Sequence, residues 1–100
     1  MKDFRTFNTA VSFYRSSLSL RLCGTLKEQM SRAASSIALN LAEARGKESR
    51  KDQVRFFSIA LGSLRECQAI LILAGLEGSE AWELLDKTAA QLYRLIKNAV

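Results

Sequence analysis

Residues 29–66 read QMSRAASSIALNLAEARGKESRKDQVRFFSIALGSLRE, two helix-periodic apolar segments on either side of one short charged loop. In the first segment Leu26, Met30, Ala33, Ile37, Leu41 and Ala44 recur every three or four residues and so share one helix face. Gln29, Arg32, Ser36, Asn40 and Glu43 recur the same way on the neighbouring face. In the second segment Val54, Phe57, Leu61, Leu64 and Leu71 make the apolar stripe, with Arg55, Gly62 and Glu66 off its edge. If the chain folds back near Ser49, residues whose numbers sum to about 98 face one another across an antiparallel hairpin. Glu43 then meets Arg55, Asn40 meets Ser58, Ser36 meets Gly62, and Arg32 meets Glu66. Both charged pairs come out opposite in sign. Glycine within a helix costs roughly 1 kcal/mol relative to alanine, and a close approach of two backbones would account for Gly62. The seam formed by Arg32, Ser36, Asn40, Glu43, Gly62 and Glu66 therefore reads as a device that sets register, which ion pairs serve better than they serve net stability. The competing reading is plain scaffold that touches no ligand.

Working outward, 100 residues bound the chain to a single domain, 1–100. A chain this size buries roughly two-thirds of its unfolded surface, yet 48% of it is hydrophobic, more than one small core needs. Proline is absent, and no alternating run rich in Val, Ile or Thr occurs, so the class is all-α. The first helix is expected from about Asp3 to Leu22, with Phe4, Phe7, Val11, Tyr14 and Leu18 as its buried stripe and Asp3 at its cap. Gly24 should end it and Thr25 should cap a second helix reaching Ala44. Gly46 stops that helix, Ser49 caps a third from Arg50 to Ala74, and Asp52 sits at its N3 position. Gly75 and Gly78 bracket the last turn, and Ser79 caps a fourth helix with Glu80 and Glu83 in its first turn and Lys97 in its last. Short connections mean antiparallel neighbours, an up-down-up-down four-helix bundle. Apolar surplus on helices 1 and 3 points to a homo-oligomer that covers it.

The composition narrows the chemistry. There is no histidine, the commonest general acid–base group at neutral pH, and no Gly-rich phosphate loop. Cys23 and Cys67 make neither a disulfide framework nor a zinc site, and a Glu plus Glu-x-x-His bundle metal site cannot be built without histidine. No enzyme, metal or cofactor is expected. The longest apolar run, Ala69–Leu76, is too short to span a bilayer, and no leader pattern opens the chain, so the expectation is a soluble cytoplasmic protein with no membrane role.

The net charge is +5 and the excess lies upstream of the last quarter. Arg45, Lys47, Arg50 and Lys51 crowd the loop between helices 2 and 3, with Arg55 one turn on. Facing RNA or DNA, each could neutralise a phosphate and release counterions. The alternative is a tight turn solvated by charge, diluted by Glu48 and Asp52. Arg5, Arg15 and Arg21 could extend a basic surface along helix 1. No aromatic pattern interleaves with these charges, so any binding would be backbone-driven and salt-sensitive.

The pattern Gln29-x-x-Arg32-Ala33-Ala34-x-Ser36-Ile37-x-x-Asn40-x-Ala42-Glu43, then Gly46, then Arg55-Phe56-Phe57 and Ile59-Ala60-Leu61-Gly62-Ser63-x-x-Glu66, resembles the four-helix bundle proteins of the 23S rRNA intervening-sequence family. The accessory variability determinant of diversity-generating retroelements is a relative of that family. The resemblance implies a homopentameric barrel of four-helix protomers. In the retroelement relative it implies a basic surface that engages nucleic acid and a reverse transcriptase. This chain departs from the family at Ala38, where proline is usual, at Ala44, where glycine is usual, and in a short turn between helices 1 and 2. The alternative to a nucleic-acid role is a structural or adaptor module whose partner is a protein.

Overall fold

The computed structural model describes residues 4–99 and contains four helices, α1 (Phe4–Ser17), α2 (Gly24–Arg45), α3 (Arg50–Leu73) and α4 (Glu80–Ala99). It is an all-α four-helix bundle. Contacts join α1 to α2, α2 to α3, α3 to α4 and α4 back to α1, and the α2–α3 contact is the most extensive. The expected cap at Asp3 lies outside the described residues.

The apolar spacing makes the core. Met30, Ala33, Ala34, Ile37, Leu41 and Ala44 from α2 are buried, as are Phe57, Ala60, Leu64, Cys67, Ile70 and Leu71 from α3. Ala81, Leu85, Ala89 and Leu92 complete it from α4. Most members of these sets lie three or four residues apart, the spacing at which side chains of one helix seat between those of the next. By length and composition α3 is apolar enough to cross a membrane, contrary to what its longest unbroken run suggested. Core helices of bundles share that property, and six α3 residues are buried inside this one.

Helix 1 departs from expectation twice. It stops at Ser17, because Leu18, Ser19 and Leu20 donate to the carbonyls of Arg15, Ser16 and Ser17 three residues back, and the Ser17 hydroxyl donates to Tyr14 O at 2.6 Å. Serine hydroxyls that bond nearby carbonyls compete with helix continuation. The connection to α2 is thus six residues, 18–23, rather than a short turn. Its buried face is also rotated. Thr6, Thr9, Ala10, Phe13 and Ser17 point inward, while Phe7, Val11 and Tyr14 are half-buried and Leu18 is exposed. Inward hydroxyls bond within their own helix: Thr9 Oγ1 donates to Arg5 O at 2.9 Å, and in α4 Thr88 Oγ1 donates to Leu84 O at 2.7 Å. A periodicity reading that counts only apolar letters misses such a face.

The caps mostly follow the sequence. Ser49 Oγ accepts from Asp52 N at 3.1 Å and Ser79 Oγ from Trp82 N at 3.2 Å. Gly75, at φ 71°, lies just past the end of α3; its N–H reaches Ile72 O, and Leu76 N reaches Leu71 O at 2.8 Å, the paired bonds of a left-handed helix stop. Gly24 and Thr25 do not act as expected. Cys23 holds the N-cap of α2, without a side-chain cap, and Gly24 is the first helical residue. Gly46 does close α2, but in right-handed geometry at φ −83°.

The α2–α3 seam keeps the antiparallel register and rearranges its rungs. Arg32 Nη2 donates to Glu66 Oε2 at 2.7 Å, and Ser63 Oγ donates to Ser36 Oγ at 2.9 Å. Asn40 does not reach Ser58; its Nδ2 donates back to Ser36 O and Oγ at 2.9 and 3.0 Å. Glu43 and Arg55 do not pair. Each finds a partner on its own helix or the adjoining loop, Lys47 at 3.5 Å and Asp52 at 3.9 Å, since a neighbour three or four residues away costs less side-chain order than a bridge between helices. Gly62 is exposed, and a Cβ there would meet nothing within 4 Å. Close approach within the bundle therefore does not explain it.

Burial acts on Cys67, which is fully buried. Desolvation, aided by Glu66 and opposed by Arg32, pushes its thiol from 9.0 up to about 12. A thiol held in its neutral form is a packing group rather than a nucleophile.

Two outcomes follow. Gly62→Ala should raise the unfolding free energy by about 0.5–1 kcal/mol in dilute solution, read by chemical denaturation; a loss of stability would show that the site is tighter than described. A thiol reagent at mildly alkaline pH should modify Cys23 alone in the folded protein and both cysteines after unfolding. The unfolded chain releases the Cys67 proton near 9.0 and the folded chain near 12. Stability should therefore decline as pH rises above 9, and a flat profile there would contradict the assignment.

Candidate nucleic-acid interface

The loop between α2 and α3 is short, and side chains on both helices fasten it. Gly46 N and Lys47 N donate to the carbonyls of Glu43 and Ala44, and Gln53 Nε2 reaches back to Lys47 O at 3.1 Å. With Ser49 capping α3, the loop has a defined shape. Arg45 and Lys47 are half-buried, while Arg50, Lys51 and Arg55 are exposed. All five lie within the last turn of α2, the loop, or the first two turns of α3.

The structure adds residues that the sequence reading did not place here. Arg50 Nη1 donates to Asn98 O at 3.2 Å, which brings the end of α4 against the start of α3. Arg94 and Lys97, both exposed, come with it. Seven basic residues (Arg45, Lys47, Arg50, Lys51, Arg55, Arg94 and Lys97) then share this end with three acidic ones, Glu43, Glu48 and Asp52. The signal was present within α4, whose acids Glu80, Glu83 and Asp86 precede its bases; averaging over the last quarter of the chain hid it. That order also suits the helix dipole, with acids at the positive end and bases at the negative end.

Arg15 and Arg21 do not join the patch. They lie at the end of α1 and in the 18–23 connection, beside the start of α2, and α2 at 22 residues separates its two ends by about 33 Å.

Phe56 was also missed. Its ring is half-buried against the core, with Lys47 Nζ 5.1 Å and the Arg55 guanidinium carbon 4.5 Å from its centroid. Both distances are within cation–π range. An aromatic ring does interleave with the charges, but it bears two cations rather than lying open for a base.

The seam residues lie apart from this end in character. Arg32 and Glu66 are a surface pair, 67% and 39% exposed, a class worth about 0–1 kcal/mol. Among the described residues no cluster of three or more Cys, Asp or Glu could hold a metal ion. A concavity of about 80 Å³ lined by Ser17, Leu18, Leu22, Lys27, Met30 and Ser31 is small beside the roughly 300–1,000 Å³ of small-molecule sites.

The family model described as 23S rRNA-intervening sequence protein matches residues 5–99. No curated protein and no solved structure gives a match.

Proposed function

The chain belongs to the 23S rRNA-intervening sequence protein family, and from that premise we propose that it is a non-enzymatic, oligomeric helical bundle that binds structured RNA or DNA through its basic end. The observation that carries this reading is the convergence of seven cations from three helices on one end of the bundle. Contacts of this kind go to phosphates, so affinity is set by counterion release and carries little sequence preference. A role as accessory to a reverse transcriptase, as in the retroelement relative named above, fits a protein that holds nucleic acid without acting on it.

Self-association, with a pentamer as the assembly the resemblance implies, has its own support. Leu39 is 64% exposed and Ile59 44%. The register marked by Arg32–Glu66 and Ser36–Ser63 brings them level across the α2–α3 groove. Gly62, open to solvent nearby, leaves room for a neighbouring helix. A protein-binding adaptor is the second reading, favoured by the exposed Ile72 and Leu73 at the far end of α3.

A labelled RNA or DNA duplex should bind at low salt and lose affinity steeply between about 50 and 200 mM. Replacing Lys47, Arg50 and Lys51 together by Glu should weaken binding at least about tenfold and flatten the salt slope, with helicity retained. Absence of binding by the unaltered protein at low salt would favour the adaptor. In sedimentation, Leu39→Glu with Ile59→Glu should shift the protein to a smaller species; an unchanged distribution would place the self-contact elsewhere.

A further inference from the structure

We propose that Phe56 is a positioning residue that holds Lys47 and Arg55 as a preformed clamp for the phosphodiester backbone, a reading that rests on the nucleic-acid role proposed above. Lys47 comes from the α2–α3 loop and Arg55 from the second turn of α3, so one ring gathers cations from two elements. Their charged groups lie 5.1 and 4.5 Å from the same centroid, and cannot be further apart than those distances combined. Neighbouring phosphates of one strand fall within that reach.

Three features make the clamp more than two surface cations. Phe56 is anchored against the core, so the platform does not move with solvent-exposed side chains. The loop carrying Lys47 is pinned by the Gln53 bond to Lys47 O. Each cation has one loose carboxylate neighbour, Glu43 at 3.5 Å and Asp52 at 3.9 Å, which orients it and which an incoming phosphate displaces. A planar guanidinium held over an aromatic ring, as Arg55 is at 4.5 Å, loses no charge to that contact and keeps donors for phosphate. Ordering the cations in the free protein removes part of the entropy cost of binding. With Lys47 and Arg55 over the ring, the clamp holds backbone and does not stack bases.

The test measures duplex affinity for the unaltered protein, Phe56→Leu, Phe56→Trp and Arg55→Lys at one low salt concentration, with melting curves for each. Phe56→Leu should weaken binding about three- to tenfold with its charges unchanged, and Phe56→Trp should restore it. Arg55→Lys, which keeps the charge and leaves the core untouched, should weaken binding about two- to fivefold; it decides the matter alone if Phe56→Leu fails to fold. Wild-type affinity in both Phe56→Leu and Arg55→Lys would overturn the clamp while leaving the basic-end reading in place. No binding by the unaltered protein overturns both.

Discussion

The packing of α2 against α3 is the constraint on which the rest depends. Their facing stripes are rich in alanine and medium aliphatics: Ala33, Ala34, Ile37, Leu41 and Ala44 against Phe57, Ala60, Leu64, Cys67 and Leu71. Small residues let the two helices seat deeply, and close packing makes the interface intolerant of a slip by one turn. Polar contacts at the rim, Arg32–Glu66 and Ser36–Ser63, agree with that packing rather than impose it, since an exposed ion pair is a weak term. Once this hairpin is aligned, α1 and α4 have the remaining apolar grooves to fill.

The basic end is a consequence of that alignment. A four-residue loop between paired helices brings the last turn of α2 and the first turns of α3 to one place, and Arg50 then ties in the last turn of α4 at Asn98. Like charges collected in this way repel. The repulsion is moderated by Glu43, Glu48 and Asp52, by the carbonyl ends of α2 and α4, and by the face of Phe56. The carboxylate contacts among these, at 3.5 and 3.9 Å, are local, low-energy interactions that a polyanion would replace. Charge held in check by such local contacts is what the proposed function requires of this end.

How far the fold could be read from the chain differed from helix to helix. In α2 and α4 the apolar stripe and the buried face largely coincide. In α3 they share Phe57, Leu64 and Leu71, while Val54 and Leu61 are half-buried and Ile59, Ile72 and Leu73 exposed. Ser49 and Ser79 stand where capping chemistry puts them. In α1 the buried face carries Thr6, Thr9 and Ser17, the last two with hydroxyls bonded to their own helix, so the most apolar letters mark the flank. The pairing of Glu43 with Arg55 failed because Lys47 and Asp52 were nearer partners along the chain. Gly62 looked like a packing glycine and is exposed instead. The site divided along the same line: the five cations around the α2–α3 junction were visible as a cluster in sequence, whereas Arg94, Lys97 and Phe56 were not.

Helix periodicity, cap residues and loop length are local properties, carried by residues a few positions apart, and they determined the all-α class, the four segments and the register of the central hairpin without reference to coordinates. What only the tertiary structure decided is how side chains distant along the chain, or crowded on one turn, choose among partners. It turned the face of α1, set Arg50 against the end of α4, and laid Lys47 and Arg55 over one ring. The physical reason is that these outcomes are competitions between contacts of nearly equal energy, and three-dimensional packing settles which of them are within reach.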